Sequence, residues 1–309
     1  MLEVNPQQMA TSFDRSLFKS PNCVAVGTSL ALAAVDSAFG LSEVSCCTFQ
    51  SLSGRGDAMY PAELVQGNVY PIWATQEKTE TYIANEIGAL LSLSPSALSV
   101  RAQRVGVHIG HFIDVRVRVK APEKLIDEEA VYAAFESFMP LRSLAGKLPS
   151  LPPKPLHVTR TAGAPRSRSH ASEFGGMSVA VGNVKLSDGM WHLCFSVVVN
   201  NMVRGAYGSA LLMAEYYCYL RDHPVELESL RVQAEADAAA KREQSEAARA
   251  AEEAAAKAAE KAVLGTRYDT RSATVRRYSS SSQHPFQPHR HPPPSSLGYQ
   301  SYVWDSSLM

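Results

Sequence analysis

Along residues 1–222, runs in which apolar and polar side chains alternate every second position are interrupted by stretches of helical period. The runs SEVSCCTFQ, LSVRAQRVGVHI, FIDVRVRVK, MSVAVGNVKL and WHLCFSVVV are β-rich and predict strands. Helical patterns fall at 23–38, 79–92, 127–138 and 203–221. Strands and helices in this irregular order predict an α+β domain. Its sheet should be mixed but mostly antiparallel and covered by helices, unlike a repeating doubly wound unit.

Between the third and fourth helical patterns, SLPPKPLHVTRTAGAPRSRSHASEFGG is rich in proline, arginine, serine and glycine and predicts a long exposed connection. Arg160, Arg166 and Arg168 within it have no spacing that turns them toward one phosphate, so a solvated loop is expected. From about 226 the composition shifts to alanine, glutamate, lysine and arginine. The stretch EADAAAKREQSEAARAAEEAAAKAAEKAV has high helix propensity, with supporting pairs Asp237/Lys241 and Glu253/Lys257. It has no leucine or isoleucine seam, so residues 223–264 predict a solvated single helix and no coiled coil. Residues 265–309, including SSSSQHPFQPHRHPPPSS, predict a disordered tail. His284, His289 and His291 lie in it without a folded shell to orient them, and no metal site is expected.

Lysine plus arginine equal aspartate plus glutamate at 30 each, which excludes a global field that would recruit nucleic acid or an acidic membrane. The five cysteines have neither metal-ligand spacing nor the density of a secreted framework, which points to a reducing compartment. The opening MLEVNPQQMA lacks a basic start before an apolar run, and no uncharged apolar stretch reaches spanning length. A cytoplasmic chain is expected, with organellar targeting left open if the start is truncated.

Three stretches carry residues suited to chemistry. In SPNCVAVGTSLALAAV, Pro21 and Asn22 are good helix starters, which puts Cys23 in a first turn where backbone N–H groups and the helix dipole favour a thiolate. Taken alone, such a cysteine is more often a small buried hydrophobe. In TFQSLSGRGD, Gln50 ends a β-run before a glycine-bearing turn; the tripeptide Arg55-Gly56-Asp57 matches an adhesion motif only by chance. In RVGVHIGH, Arg104 can grip a carboxylate through two parallel hydrogen bonds, and His111 beside a thiolate can move protons near neutral pH. His108 competes with His111 for that role.

Taken in order, these motifs resemble the aspartate-semialdehyde dehydrogenase family over roughly the first two thirds of the chain. LEVNP is similar to the segment before the family's active-site loop, and SPNC to its asparagine-cysteine motif, which makes Cys23 the implied nucleophile. TFQSLSGRG resembles the threonine-tyrosine-glutamine and serine-glycine-x-glycine signature, giving Gln50 the substrate-orienting role. ETYIANEIGALL is similar to the acidic helix, so Glu86 would hold the substrate amino group. RVGVHIGH resembles the arginine-histidine pair, giving Arg104 the substrate carboxylate and His111 the acid and base work. VVVNNMVRGAYGSALLMAE is similar to a helix start at which Asn201 and Gly205 would lie beside the cofactor.

The resemblance implies a catalytic and dimerisation domain over 1–222, a homodimer, NADP as cofactor and a small-molecule substrate. The chemistry implied interconverts aspartate semialdehyde plus phosphate with aspartyl phosphate, on the route to lysine, threonine and methionine. No glycine-rich dinucleotide fingerprint follows a predicted strand. The family's nucleotide-binding domain would precede Met1, so a truncated enzyme is expected. Departures from the family accompany this: Val24 and Ala25 replace small hydroxyl residues, Ala89 replaces a lysine suited to phosphate, and Gly182-Asn183 replaces glycine-arginine. The alternatives are a non-catalytic interaction protein built on the dimerisation domain, or an N-acetylglutamyl-phosphate reductase-like enzyme, which Gln50 and Glu86 disfavour.

Overall fold

The structure, a computed structural model, describes residues 1–240 except Ser16, 56–59 and 73–77, together with positions 242, 243 and 246. In chain order the elements are α1 (Gln7–Thr11), α2 (Cys23–Phe39), β1 (Leu41–Gln50), α3 (Ala62–Val65), β2 (Val69–Pro71), α4 (Thr79–Leu91), β3 (Leu98–Val105) and β4 (His111–Val119). They continue with α5 (Glu128–Ser137), β5 (Leu156–Thr159), α6 (Ser167–His170), β6 (Val179–Leu186), β7 (Leu193–Val199) and α7 (Gly208–Asp222). A last helix, α8, covers 224–240. The remainder of the expected helix at 241–264, apart from those three positions, the tail with its histidines, and Gly56-Asp57 lie outside the described residues.

The strands form one seven-stranded sheet in the order β2-β3-β1-β4-β7-β6-β5. β1/β3 and β5/β6 pair parallel; the other four pairings are antiparallel. The mixed, mostly antiparallel sheet covered by helices is the architecture that the alternation predicts. Each central strand buries every second residue, as in β4, where His111, Ile113, Val115, Val117 and Val119 are buried. The four apolar ones meet Val24, Leu30, Leu32 and Val35 of α2, Ile83 and Ile87 of α4, and Val131 and Phe135 of α5 in one core. α2 is apolar on nearly every side, and every residue from Val24 to Leu32 is buried, as a helix wedged between sheet and neighbouring helices must be. The opposite face of the sheet keeps half-exposed polar residues, among them Cys47, Asp114, Arg116 and Cys194.

Three expectations need correction. The stretch read as an exposed connection contains β5, a short edge strand: Leu156 and Thr159 are buried, and His157-Val158 pair with Ala180-Val181 of β6. Four residues between Pro155 and Arg160 are too few for periodicity to reveal. The helical pattern at 203–221 is two pieces, a wide π-type turn at Val203–Tyr207 followed by α7. Finally, the domain does not end at 222, for α8 is docked. Leu227 is buried and Leu230 packs in a second core with Leu2, Met9, Leu144, Leu212 and Leu220. Arg231 reaches the Ala10 carbonyl at 3.3 Å and the Asp14 carboxylate at 3.2 Å.

Candidate active site

Strand ends assemble one constellation at a single edge of the sheet. β1 and β3 run parallel and finish there, with Gln50 directly opposite Arg104, while antiparallel β4 begins there with His111. Gln50, Arg104 and His111 all belong to the buried alternation of their strands, so their side chains turn toward the helix-covered face. α2 starts over this edge. Asn22 is its N-cap, with extended ψ of 145° and a side-chain oxygen accepting the Val24 N–H at 2.9 Å, and this fixes the turn that presents Cys23. The Cys23 Sγ lies 3.1 Å from His111 Nε2.

The imidazole is held from behind. The Ser51 N–H donates to His111 Nδ1 at 3.0 Å, and Ser51 Oγ stands 3.0 Å from the same nitrogen. Ser51 Oγ donates to Asn201 Oδ1 at 2.9 Å, which also accepts the Gly110 N–H at 3.0 Å, while Asn201 Nδ2 donates to Ser53 Oγ at 2.9 Å. Gly110 is at φ +97°, where a side chain would be strained, and this conformation turns its N–H to Asn201 just before β4 begins. Arg104 Nη1 donates to the Ser51 carbonyl at 2.8 Å, and its guanidinium lies 4.6 Å over the ring of Tyr60.

Glu86, from α4, accepts the Asn22 N–H and pairs with Lys19 Nζ at 2.7 Å, so both carboxylate oxygens bind the loop that precedes the nucleophile. Gln50 is buried and donates to Thr48 Oγ1 at 3.1 Å. Gly205 donates its N–H to the Asn200 carbonyl at 2.8 Å, and a Cβ on it would stand 2.4 Å from Cys23 Cβ. Only glycine lets the 203–207 turn press against the nucleophile. Next to it Arg204 forms a fully buried ion pair with Glu3. His108 lies on the exposed part of the β3–β4 turn, away from the contacts of Cys23, which leaves His111 as the histidine at the sulfur.

Burial governs the electrostatics. It pushes the Cys23 thiol up, against the Val24 N–H and the Arg104 charge, which pull it down. The helix start that should favour a thiolate is therefore outweighed. Burial, helped by Arg104, lowers His111 to about 3. At neutral pH the pair is accordingly a thiol beside a neutral imidazole. Among the described residues no group of histidines, cysteines or carboxylates could hold a metal ion.

Of the residues the sequence reading brings to notice, the contacts above join Cys23, His111, Arg104, Asn201 and Gly205 and, through Asn22, Glu86 around the α2 start, while Gln50 sits opposite Arg104 in the sheet with its amide turned to Thr48. The sequence reading misses Ser51, Ser53 and Tyr60, and the work of Asn201 on Ser51. A serine 60 positions from the histidine it serves carries no local signal.

No protein-family model matches the chain. An aspartate-semialdehyde dehydrogenase of Methanothermobacter thermautotrophicus is 30% identical over 227 residues, 69% of this chain and 64% of that protein. A malonyl CoA reductase (NADP) of Metallosphaera sedula is 28% identical over 230 residues, 69% of this chain and 63% of that protein. The chain thus spans slightly less than two thirds of the length of the curated relatives it matches. The crystal structure of aspartate semialdehyde dehydrogenase II from Vibrio cholerae superposes with a TM-score of 0.58 at 24% identity, over 69% of this chain and 66% of that one, a likeness of fold. No helix among the described residues is long and apolar enough to cross a membrane.

Proposed function

Over about 69% of its length the chain is similar to the aspartate-semialdehyde dehydrogenase family, and on that premise we propose that its site performs the same thiol-dependent oxidoreduction on aspartate semialdehyde, with phosphate as acyl acceptor. The observation that carries this reading is the 3.1 Å contact of Cys23 Sγ with His111 Nε2 at a helix start. In this reading the sulfur attacks the aldehyde carbon and the thiol proton passes by way of His111 to the carbonyl oxygen, giving a hemithioacetal; loss of that hydroxyl proton to solvent and of the hydride leaves the Cys23 thioester. Arg104 supplies positive charge for the substrate carboxylate, and Gln50 orients the substrate from the end of β1. A nicotinamide dinucleotide, NADP in this reading, supplies the hydride acceptor when bound. Phosphate then breaks the Cys23 thioester, leaving aspartyl phosphate and the free thiol.

Gly205 packs directly against Cys23, where a Cβ would meet the cysteine Cβ at 2.4 Å, and in this reading the nicotinamide end of the cofactor would lie beside that turn. Asn201 contributes by holding that side of the site, its amide being used by Ser51, Gly110 and Ser53. None of the described strand-to-helix connections is a glycine-rich phosphate cradle. The polar face of the sheet opposite the helices is the surface we assign to a homodimer, and the cytoplasm is the compartment that fits the free thiols.

The test is formation of NADPH by the full chain given NADP, aspartate semialdehyde and phosphate, with mass spectrometry of Cys23 for the acyl adduct. Activity and adduct should both vanish in Cys23→Ser; turnover that survives that substitution removes the reading. One observation favours the second reading, a family fold kept as an interaction module: Glu86 is already occupied by Lys19 and the Asn22 N–H, so a substrate ammonium must displace Lys19. That reading expects neither NADPH nor adduct from a chain that still dimerises in sedimentation.

A further inference from the structure

Lys19 carries a charge that the proposed reaction does not use, and it sits on the carboxylate that a substrate ammonium would need. Its Nζ lies 2.7 Å from one oxygen of Glu86, whose other oxygen accepts the N–H of Asn22, the residue next to the nucleophile. The Glu86 side chain is 20% exposed and that of Lys19 79%, so the carboxylate is set into the protein and the lysine reaches it from the surface. The bond to Glu86 raises the Lys19 pKa above its ordinary value, and the ammonium keeps its charge at neutral pH. The charges acting on Cys23 itself are those of Arg104 and Arg55. The site therefore offers positive charge to a carboxylate, while the acidic group beside the Cys23 loop is already neutralised from within the chain.

A site that holds a carboxylate open for a substrate ammonium rejects the analogue without one, because the analogue leaves that carboxylate unpaired. Lys19 removes this penalty. We propose that Lys19 is a specificity-determining residue: it stands in on Glu86 for the ammonium of an amino-bearing semialdehyde, so that Cys23 accepts short ω-oxo carboxylates with or without an α-amino group. An aldehyde with the amino group must break the Lys19–Glu86 pair to form its own and nets little from the exchange. One without it brings its carboxylate to Arg104 and leaves the pair intact. The inference rests on the reading of Cys23 as the residue that adds to an aldehyde, and it widens the substrate class of that site beyond aspartate semialdehyde. Only addition is needed to test it: the sulfur bonds to the aldehyde carbon and the thiol proton goes to the carbonyl oxygen, giving a hemithioacetal with no change of oxidation state.

Reversible addition shields the thiol, so binding is read without a dinucleotide. The full chain is incubated with aspartate semialdehyde or with succinate semialdehyde, the same molecule without the amino group. Cys23 alkylation by iodoacetamide is then followed by peptide mass spectrometry, with exposed Cys218 as internal reference. In the unaltered protein the two half-protecting concentrations should agree within about threefold, because one exposed ion pair is exchanged for another. In Lys19→Met, aspartate semialdehyde should gain about fivefold over succinate semialdehyde, and Lys19→Arg should keep the original ratio. In Glu86→Gln, whose amide oxygen can still accept the Asn22 N–H, adding Lys19→Met should leave the ratio unmoved; should Glu86→Gln not fold, the single Lys19→Met ratio decides. An unchanged ratio in Lys19→Met, a gain shared equally by both aldehydes, or a gain that persists in Glu86→Gln overturns the inference and leaves the Cys23 reading in place. A preference of the unaltered protein for aspartate semialdehyde above about tenfold does the same. Protection by neither aldehyde overturns both. The expected shifts in a protein that forms no NADPH would sink the proposed turnover and leave this inference standing.

Discussion

At the scale of single residues the site is governed by burial. His111 falls from an ordinary value near 6.5 to about 3 because its charged form has no water and faces Arg104. The consequence for stability has a definite sign. A histidine whose folded pKa is depressed binds its proton preferentially in the unfolded chain, so its contribution is fully present above about pH 6.5 and is lost as pH falls toward 3. Between pH 7 and pH 5 this one ring should remove about 2 kcal/mol of folding stability. The check is chemical denaturation of the protein and of His111→Gln across that interval, where most carboxylates keep their charge. Parallel stability curves for the two proteins would dispose of the claim. Cysteine and histidine were legible in the sequence as chemistry because their residue types and motif order mark them. Ser51 was not, because it acts through its backbone and through a hydroxyl set by Asn201, and neither is a property of its own stretch.

At the scale of elements, the start of α2 is where sequence and structure agree most closely. Pro21 and Asn22 promise a helix start, and Asn22 caps it. Replacing Asn22 by alanine should cost about 1 kcal/mol. The same substitution removes the side chain that orders the turn under Cys23, so alkylation of that thiol should change while alkylation of exposed Cys218 stays constant. Asn22→Asp should retain the cap; equal loss with aspartate and alanine would mean that the oxygen on the Val24 N–H is not what holds the turn. Elsewhere the limits of periodicity are plain. β1 and β4 alternate over 10 and 9 residues and are readable. β5 has four residues and is held by its pairing with β6, a partner distant in sequence. The turn at 203–207 reads as helix because its apolar spacing continues into α7, yet Gly205 packs against Cys23 and the ladder widens there.

At the scale of the whole molecule, composition drew the domain boundary too early. Alanine, glutamate and lysine dominate from about 226 and suggest a helix in water, but Leu227, Leu230 and Ala234 recur at helical spacing and form a stripe. The two leucines of that stripe cover a core built from the chain's first residues, Leu2, Met9 and Ala10, together with Leu212, Tyr216 and Leu220 of α7. Polar contacts pin it: Arg231 to Ala10 and Asp14, and the Tyr219 hydroxyl to Glu226 at 2.6 Å. Residues 1–240 hold together as one compact unit, and the cut at 222 runs through this packing. A chain ending at residue 222 should therefore lose about 3 kcal/mol, the burial of Leu227 and of the leucine and alanine beside it. It should also unfold at lower temperature than a chain ending at 246. Because the Glu3–Arg204 pair ties the same first residues to the turn against Cys23, the shorter chain should alkylate faster at Cys23 as well. Calorimetry and thiol mapping of the two lengths make the comparison. Equal melting temperatures would show that α8 rests on the domain without supporting it, and an unchanged Cys23 rate despite a lower melting temperature would separate the stability of this second core from the geometry of the site.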